Sequence, residues 1–176
     1  MLFVLKSAGA VLIASSGIMT GYKLKKRLQM RRDILAEYRA GIEFTESRIS
    51  LDELALEECM NECRQRFCKE YPEYNLFSIF GDKLSQGILS GEEAWRDTVE
   101  SVSEKGLLSD GEINLLCSLS STLGRADVKH HSEHLKTVAE KLDLLITEAD
   151  VKLKKDGNLF IKLGAAASAV LILLLW

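Results

Sequence analysis

From Leu2 to Tyr22 the chain reads LFVLKSAGAVLIASSGIMTGY, a run of apolar and small residues whose only charge is Lys6. A helix rises ~1.5 Å per residue, so a run of this length crosses a ~30 Å hydrocarbon core, with Lys6 close enough to the end to snorkel. Lys23-Leu24-Lys25-Lys26-Arg27 follows, where a cleaved signal peptide would have a small-x-small site, and this favours a retained span. At the other end Leu163 to Trp176 gives 14 uncharged, mostly apolar positions, or 18 from Leu159 if Lys162 snorkels. That makes a short second span with Trp176 as an interfacial anchor.

Between these ends the apolar positions recur at threes and fours, which predicts helices throughout. The first span continues through Ile34, Leu35, Tyr38, Ile42 and Ile49, so its helix extends beyond the membrane. Ser50 with Glu53, Ser90 with Glu93 and Ser109 with Glu112 each have the spacing of a capping box and mark three helix starts. The resulting helices run from Leu51 to about Glu70, stopped by Tyr71-Pro72, from Glu73 to Gln86, from Gly91 to Gly106, and from Asp110 through Leu123. A last one begins near Asp127, carries Leu135, Val138, Leu142, Leu145, Ile146 and Ala149, and is separated from the second span by Gly157. The expected fold is all-α, a compact bundle of about six helices between two terminal transmembrane helices. Residues 1–22 form the first span, 23–41 a basic cytoplasmic extension of it, 42–157 the helical-bundle domain and 158–176 the second span.

Composition supports a single helical domain of this kind. Hydrophobic residues are 47% and aromatics 7% of the 176, with one proline, too few aromatic and β-branched alternations for a sandwich or barrel. Charge adds orientation. Tyr22 to Gly41 holds seven cations, among them Lys23, Lys25, Lys26, Arg27, Arg31 and Arg32, against two acids, and Lys152 to Lys162 holds four cations and one acid. Ile42 to Val151 has 11 basic and 23 acidic residues, a net of −12. Cations concentrate on the cytoplasmic side of membrane helices. Both basic collars are therefore expected at the cytoplasmic face, both termini outside, and the acidic body in the cytoplasm. A polyanion such as nucleic acid would be repelled by that body. In a reducing compartment Cys59, Cys63, Cys68 and Cys117 are expected as thiols.

Catalytic patterns are scarce. His130-x-x-Glu133-His134 matches the inverted zinc-peptidase spacing, with two histidines one turn apart and a glutamate to activate water. The motif fixes three positions and needs a separate third ligand, so a polar helix start with one half-buried and two largely solvated histidines is the better reading. Cys59, Cys63 and Cys68 lack the two paired knuckles of a closed zinc site, and buried or half-buried free thiols account for them. No cofactor, metal or catalytic residue is expected. Gly17-x-x-x-Gly21 in the first span and Gly164 to Ser168 in the second are small-residue faces that allow close helix approach.

The order of features resembles one family. An N-terminal span with a basic exit, Ala94-Trp95 after Gly91-Glu92-Glu93, Leu123-Gly124-Arg125-Ala126-Asp127, His134-Leu135 and a Leu-rich closing span resemble the stage III sporulation protein AB family over essentially the whole chain. The resemblance implies a structural role, similar to the cytoplasmic domain of the platform proteins of type II secretion and type IV pilus machines, which meet a secretion ATPase. It implies a place in a channel-like secretion complex, at the mother-cell membrane facing the forespore, with other sporulation-channel membrane proteins as partners and oligomerisation open. An acidic body would attract a basic partner surface, and Glu92, Glu100 and Glu104 are its candidate contacts. A generic membrane adaptor or sensor fits the same anatomy, and a membrane peptidase accounts only for the histidine cluster.

Overall fold

The computed structural model describes residues 2–52, 56–123 and 132–175, with side chains over 9–50, 56–123 and 132–174. Among the described residues the regular elements are all helical: α1 (Leu2–Asp52), α2 (Leu56–Arg66), a 3₁₀ turn at Pro72–Tyr74, α3 (Leu76–Gln86), α4 (Gly91–Ser103), α5 (Asp110–Cys117), α6 (Ser120–Leu123) and α7 (Ser132–Leu175). The chain divides into two units. Unit 1 combines Met1–Arg32 with Thr147–Trp176, and unit 2 is Asp33–Ile146.

Unit 2 is built on the apolar stripe of α1. Ile34, Leu35, Tyr38, Ile42 and Ile49 are buried, together with Met60 of α2, Leu76, Phe77 and Phe80 of α3, and Trp95, Val99 and Val102 of α4. Leu116, Leu119, Leu135, Val138 and Leu142 complete the core. Tyr38 buries a hydroxyl and satisfies it by donating to the Tyr74 carbonyl at 2.6 Å, as a buried polar group must. At Gly41 an added Cβ would collide with the Phe77 ring, so glycine there lets α3 press against α1. The capping boxes at Ser90 and Ser109 form. The Glu93 carboxylate accepts from the Ser90 N–H at 3.0 Å and its hydroxyl at 2.7 Å, and Glu112 does the same for Ser109 at 2.6 and 2.9 Å. Those bonds hold the Glu93 carboxyl below the usual range. Its contribution to the α4 cap is therefore present above the ordinary carboxylate pKa and is lost as pH falls through the depressed one.

Four local expectations change. Ser50 lies inside α1, its hydroxyl donating back to Glu46 at 3.2 Å, and not at a helix start; Glu53 lies outside the described residues. α2 ends at Arg66, short of Glu70. Cys68 adopts a left-handed φ of 54° while its N–H donates to the Glu37 carboxylate at 3.2 Å, which turns the chain before Pro72 is reached. α3 starts at Leu76 and not at Glu73, because Asn75 caps it: Oδ1 accepts from the Ser78 N–H at 3.1 Å and Nδ2 donates to the Phe67 carbonyl at 3.0 Å. The expected helix from Asp110 to Leu123 is two helices, α5 and α6. In an unbroken helix the Leu116 carbonyl would take the Ser120 N–H. Here it accepts the Trp95 indole N–H at 2.7 Å and the Leu119 N–H at 3.1 Å.

Unit 1 pairs the first part of α1 with the last part of α7, antiparallel. A Cβ added at Gly17 would lie 2.5 Å from the Gly164 carbonyl oxygen, and one at Gly21 2.5 Å from the Phe160 carbonyl oxygen. Ser168 is buried opposite Gly17. Further along, Gly157 faces the Lys25 side chain, and the Lys25 ammonium donates to Asn158 Oδ1 at 3.0 Å. Gly157 is thus buried within one continuous α7 and does not separate two helices as expected; it admits a neighbour and ends nothing.

Among the described residues one helix, α7, is long and apolar enough to cross a membrane, and the expectation of two such terminal spans is met in part. The described side chains of α1 begin at Gly9, and an 18-residue stretch from there takes in Lys23, Lys25 and Lys26 besides the hydroxyls of Ser15, Ser16 and Thr20. Two of those hydroxyls bond back to their own helix, Ser15 to the Leu12 carbonyl at 3.0 Å and Thr20 to that of Ser16 at 2.9 Å.

Candidate functional site

α4 has two opposed faces. Ala94, Trp95, Thr98, Val99 and Val102 are buried, a stripe at helical spacing. Glu92, Glu93, Arg96, Asp97, Glu100 and Glu104 are exposed. Glu93, Asp97, Glu100 and Glu104 succeed one another at fours and threes and form one acidic line along the outside of the helix. Of these, Glu93 serves the cap and Asp97 pairs with Lys83 at 2.5 Å, while Glu92 pairs with Arg96 at 3.1 Å. Ion pairs this exposed are weakly held, so the carboxylates stay available to an incoming cation. Asp97 was not singled out by sequence reasoning, although its spacing from Glu93 and Glu100 placed it on the same line.

Four of the residues that carry the family resemblance, Ala94, Trp95, Leu123 and Leu135, sit inside. Trp95 is 1% exposed and packs edge-on against Phe80 with ring centroids 5.1 Å apart. Leu123 and Leu135 are buried with Ala94. His134 Nδ1 lies 2.6 Å from the Thr122 hydroxyl, which joins α6 to the start of α7. Gly124 and Asp127 lie outside the described residues.

The metal-like patterns resolve differently. His130 and His131 lie outside the described residues, and Glu133 is exposed. Among the described residues no three histidines, cysteines or carboxylates stand together as a metal set. The four cysteines are thiols, with Cys59, Cys63 and Cys68 buried and Cys117 partly so. Burial pushes the Cys63 thiol up to about 11, and burial with the nearby Glu37 carboxylate pushes Cys68 up to about 12. Metal ligation and alkylation both need thiolate, which these positions disfavour at neutral pH. We expect Cys63 and Cys68 to alkylate far more slowly than Cys117 in the folded chain at pH 8, with the difference abolished in denaturant; equal rates without denaturant would contradict the burial. The purified chain is expected to hold no stoichiometric zinc by elemental analysis. His134→Ala should cost about 1–3 kcal/mol through the orphaned Thr122 hydroxyl, read as a lower urea midpoint with metal content unchanged; a zinc-dependent loss would revive the peptidase reading.

The basic collar lies in unit 1. Lys23, Lys26 and Arg27 are exposed, and Lys25, Arg31 and Arg32 are half-buried. Arg32 approaches Asp150 at 3.9 Å, and Lys154 pairs with the same carboxylate at 2.5 Å.

Comparison with known proteins is consistent across sequence and fold. The family described as stage III sporulation protein AB matches residues 6–176. A stage III sporulation protein AB of Bacillus subtilis (strain 168) is 28% identical over 171 residues, covering 97% of this chain and 99% of that protein. A solved structure of stage III sporulation protein AB superposes with a TM-score of 0.60 at 23% identity, covering 70% of this chain and 95% of that one, a likeness of fold.

Proposed function

The chain belongs to the stage III sporulation protein AB family, and from that membership we propose that it is a membrane-anchored, non-enzymatic platform in a channel-like secretion complex between mother cell and forespore. Unit 1 crosses the mother-cell membrane with both of its helices, and unit 2 lies in the cytoplasm and docks a secretion-ATPase-like partner. The observation that carries this reading is the division of charge between the two units. Unit 1 has eleven Lys and Arg against three acids, a net of +8, and unit 2 has twelve against 23, a net of −11. Cations beside apolar helices suit the cytoplasmic border of a membrane. An acidic surface on the other unit suits electrostatic recruitment of a basic partner.

The acidic face of α4 supports that docking role, since Glu92, Glu100 and Glu104 are exposed on a helix whose opposite face builds the core. Reversing all three to lysine should leave the helical circular-dichroism signal unchanged and weaken co-purification with the secretion-ATPase-like protein by about tenfold at low salt, as three rim charges of about half a kcal/mol each would. Binding that ignores both salt and the triple reversal, with the domain folded, would sink the docking surface.

A further inference from the structure

The pairing of the two helices in unit 1 gathers cations from both ends of the sequence at one level. Gly17 faces Gly164 and Ser168, Gly21 faces Phe160, and Lys25 faces Gly157 and bonds Asn158. In this antiparallel register Lys162 stands near the level of α1 residue 20 and Lys155 near that of Arg27. Lys23 and Lys26 fall between them. At ~1.5 Å per residue the four ammonium groups share a band of about 10 Å, comparable with a headgroup layer once flexible side chains are allowed to reach. All four are exposed, and none is paired with another described side chain. Lys25, by contrast, is engaged with Asn158, and Lys154 with Asp150. The acid within the band is Asp156, half-buried.

The surface on the terminal side of the band shows what covers it. Val11, Leu12, Ile18, Met19, Leu163, Val170, Leu171 and Leu173 are all exposed, and no charge occurs over Gly9–Tyr22 or Leu163–Leu175. Tyr22, also exposed, lies at the junction where an aromatic ring suits the interface. An apolar surface continuous with a belt of unpaired ammonium groups is complementary to a lipid whose acyl chains meet the first and whose anionic phosphate meets the second. We propose that Lys23, Lys26, Lys155 and Lys162 form a selective seat for anionic phospholipid headgroups on the cytoplasmic leaflet. The seat rests on the reading that both helices of unit 1 span the membrane.

Each Lys near an anionic leaflet is worth about a fivefold change in partition, so four together give selectivity that survives mild extraction. The test uses the full chain, placed in membranes of equal phosphatidylglycerol and phosphatidylcholine, extracted in mild detergent and analysed for retained lipid. Wild type should retain phosphatidylglycerol several-fold over its bulk share, and the variant with all four lysines changed to glutamine should return to the bulk ratio with its helical signal intact. A wild-type ratio equal to the bulk, or equal enrichment in the variant, overturns the seat. Displacement of the lipid by inorganic phosphate beyond the effect of chloride at equal ionic strength would also overturn it, by reassigning the site to free phosphate. An alkaline carbonate wash separates the two readings. Release of the chain without detergent defeats membrane spanning and the seat together, whereas retention with a bulk lipid ratio defeats the seat alone.

Discussion

Trp95→Ala is expected to lower the stability of the chain's helical body by about 3–5 kcal/mol, the range for deleting a fully buried aromatic side chain. Trp95 is 1% exposed and packed against Phe80, so the substitution opens a cavity between α3 and α4. It also removes the indole donor of the Leu116 carbonyl, leaving that acceptor at the break between α5 and α6 with fewer partners. A domain of this size has a total stability of roughly 5–15 kcal/mol, so the loss should appear as a large drop in the urea midpoint and as low accumulation in cells. Trp95→Phe separates the two contributions: it keeps most of the packing and loses the hydrogen bond, and its cost should be the smaller. An alanine variant with a wild-type midpoint would mean that the indole does not hold α4 to α5.

Gly164→Val is the second large effect. A Cβ at position 164 would strike the carbonyl oxygen of Gly17 and lie 3.0 Å from its carbonyl carbon. Backbone cannot rotate away as a side chain can, so the helices of unit 1 must separate toward the about 8–10 Å common for helices held apart by side chains. The cost should be about 1–3 kcal/mol, the range for overpacking. Spin labels at Leu12 and Leu171, which line the groove between the two helices, would report the opening as a longer and broader distance distribution. Gly157→Ala is the control. Its Cβ meets the Lys25 Cγ at 3.2 Å and the Leu153 Cδ1 at 3.4 Å, atoms of side chains that can move, and the change in distance should be small.

These two sites show what a sequence does and does not disclose. The α1 stripe of Ile34, Leu35, Tyr38 and Ile42, the Trp95 face of α4 and the capping boxes at Ser90 and Ser109 are local patterns, governed by helical period and by bonds over three residues, and so they are readable in advance. The split between α5 and α6 is not local: it depends on an indole 21 positions earlier taking a carbonyl. Gly157 was misread because glycine serves both to stop a helix and to admit a neighbour, and only the position of Lys25 distinguishes the two. The same limit applied to the candidate site. Opposition to a buried stripe marks Glu92, Glu100 and Glu104 as outward, but the partnership of His134 with Thr122 needs α6 and α7 brought together first. The lysine band of unit 1 was visible only as two separate collars until the antiparallel register placed them at one level.

In the proposed function two helices anchor the chain and the acidic unit lies in the cytoplasm. The most direct measurement is the location of three reporters in living cells, fused before Met1, after Trp176 and within a surface loop of unit 2 such as Gly87–Leu89, where both ends are capped. Alkaline phosphatase is active only outside the cytoplasm and a fluorescent protein chosen to mature only inside it, so each fusion gives a reciprocal signal. The account predicts external signals at both termini and an internal signal from the loop. A cytoplasmic signal after Trp176 would contradict it, showing that the closing apolar run of α7 does not cross and that the chain is held by one span.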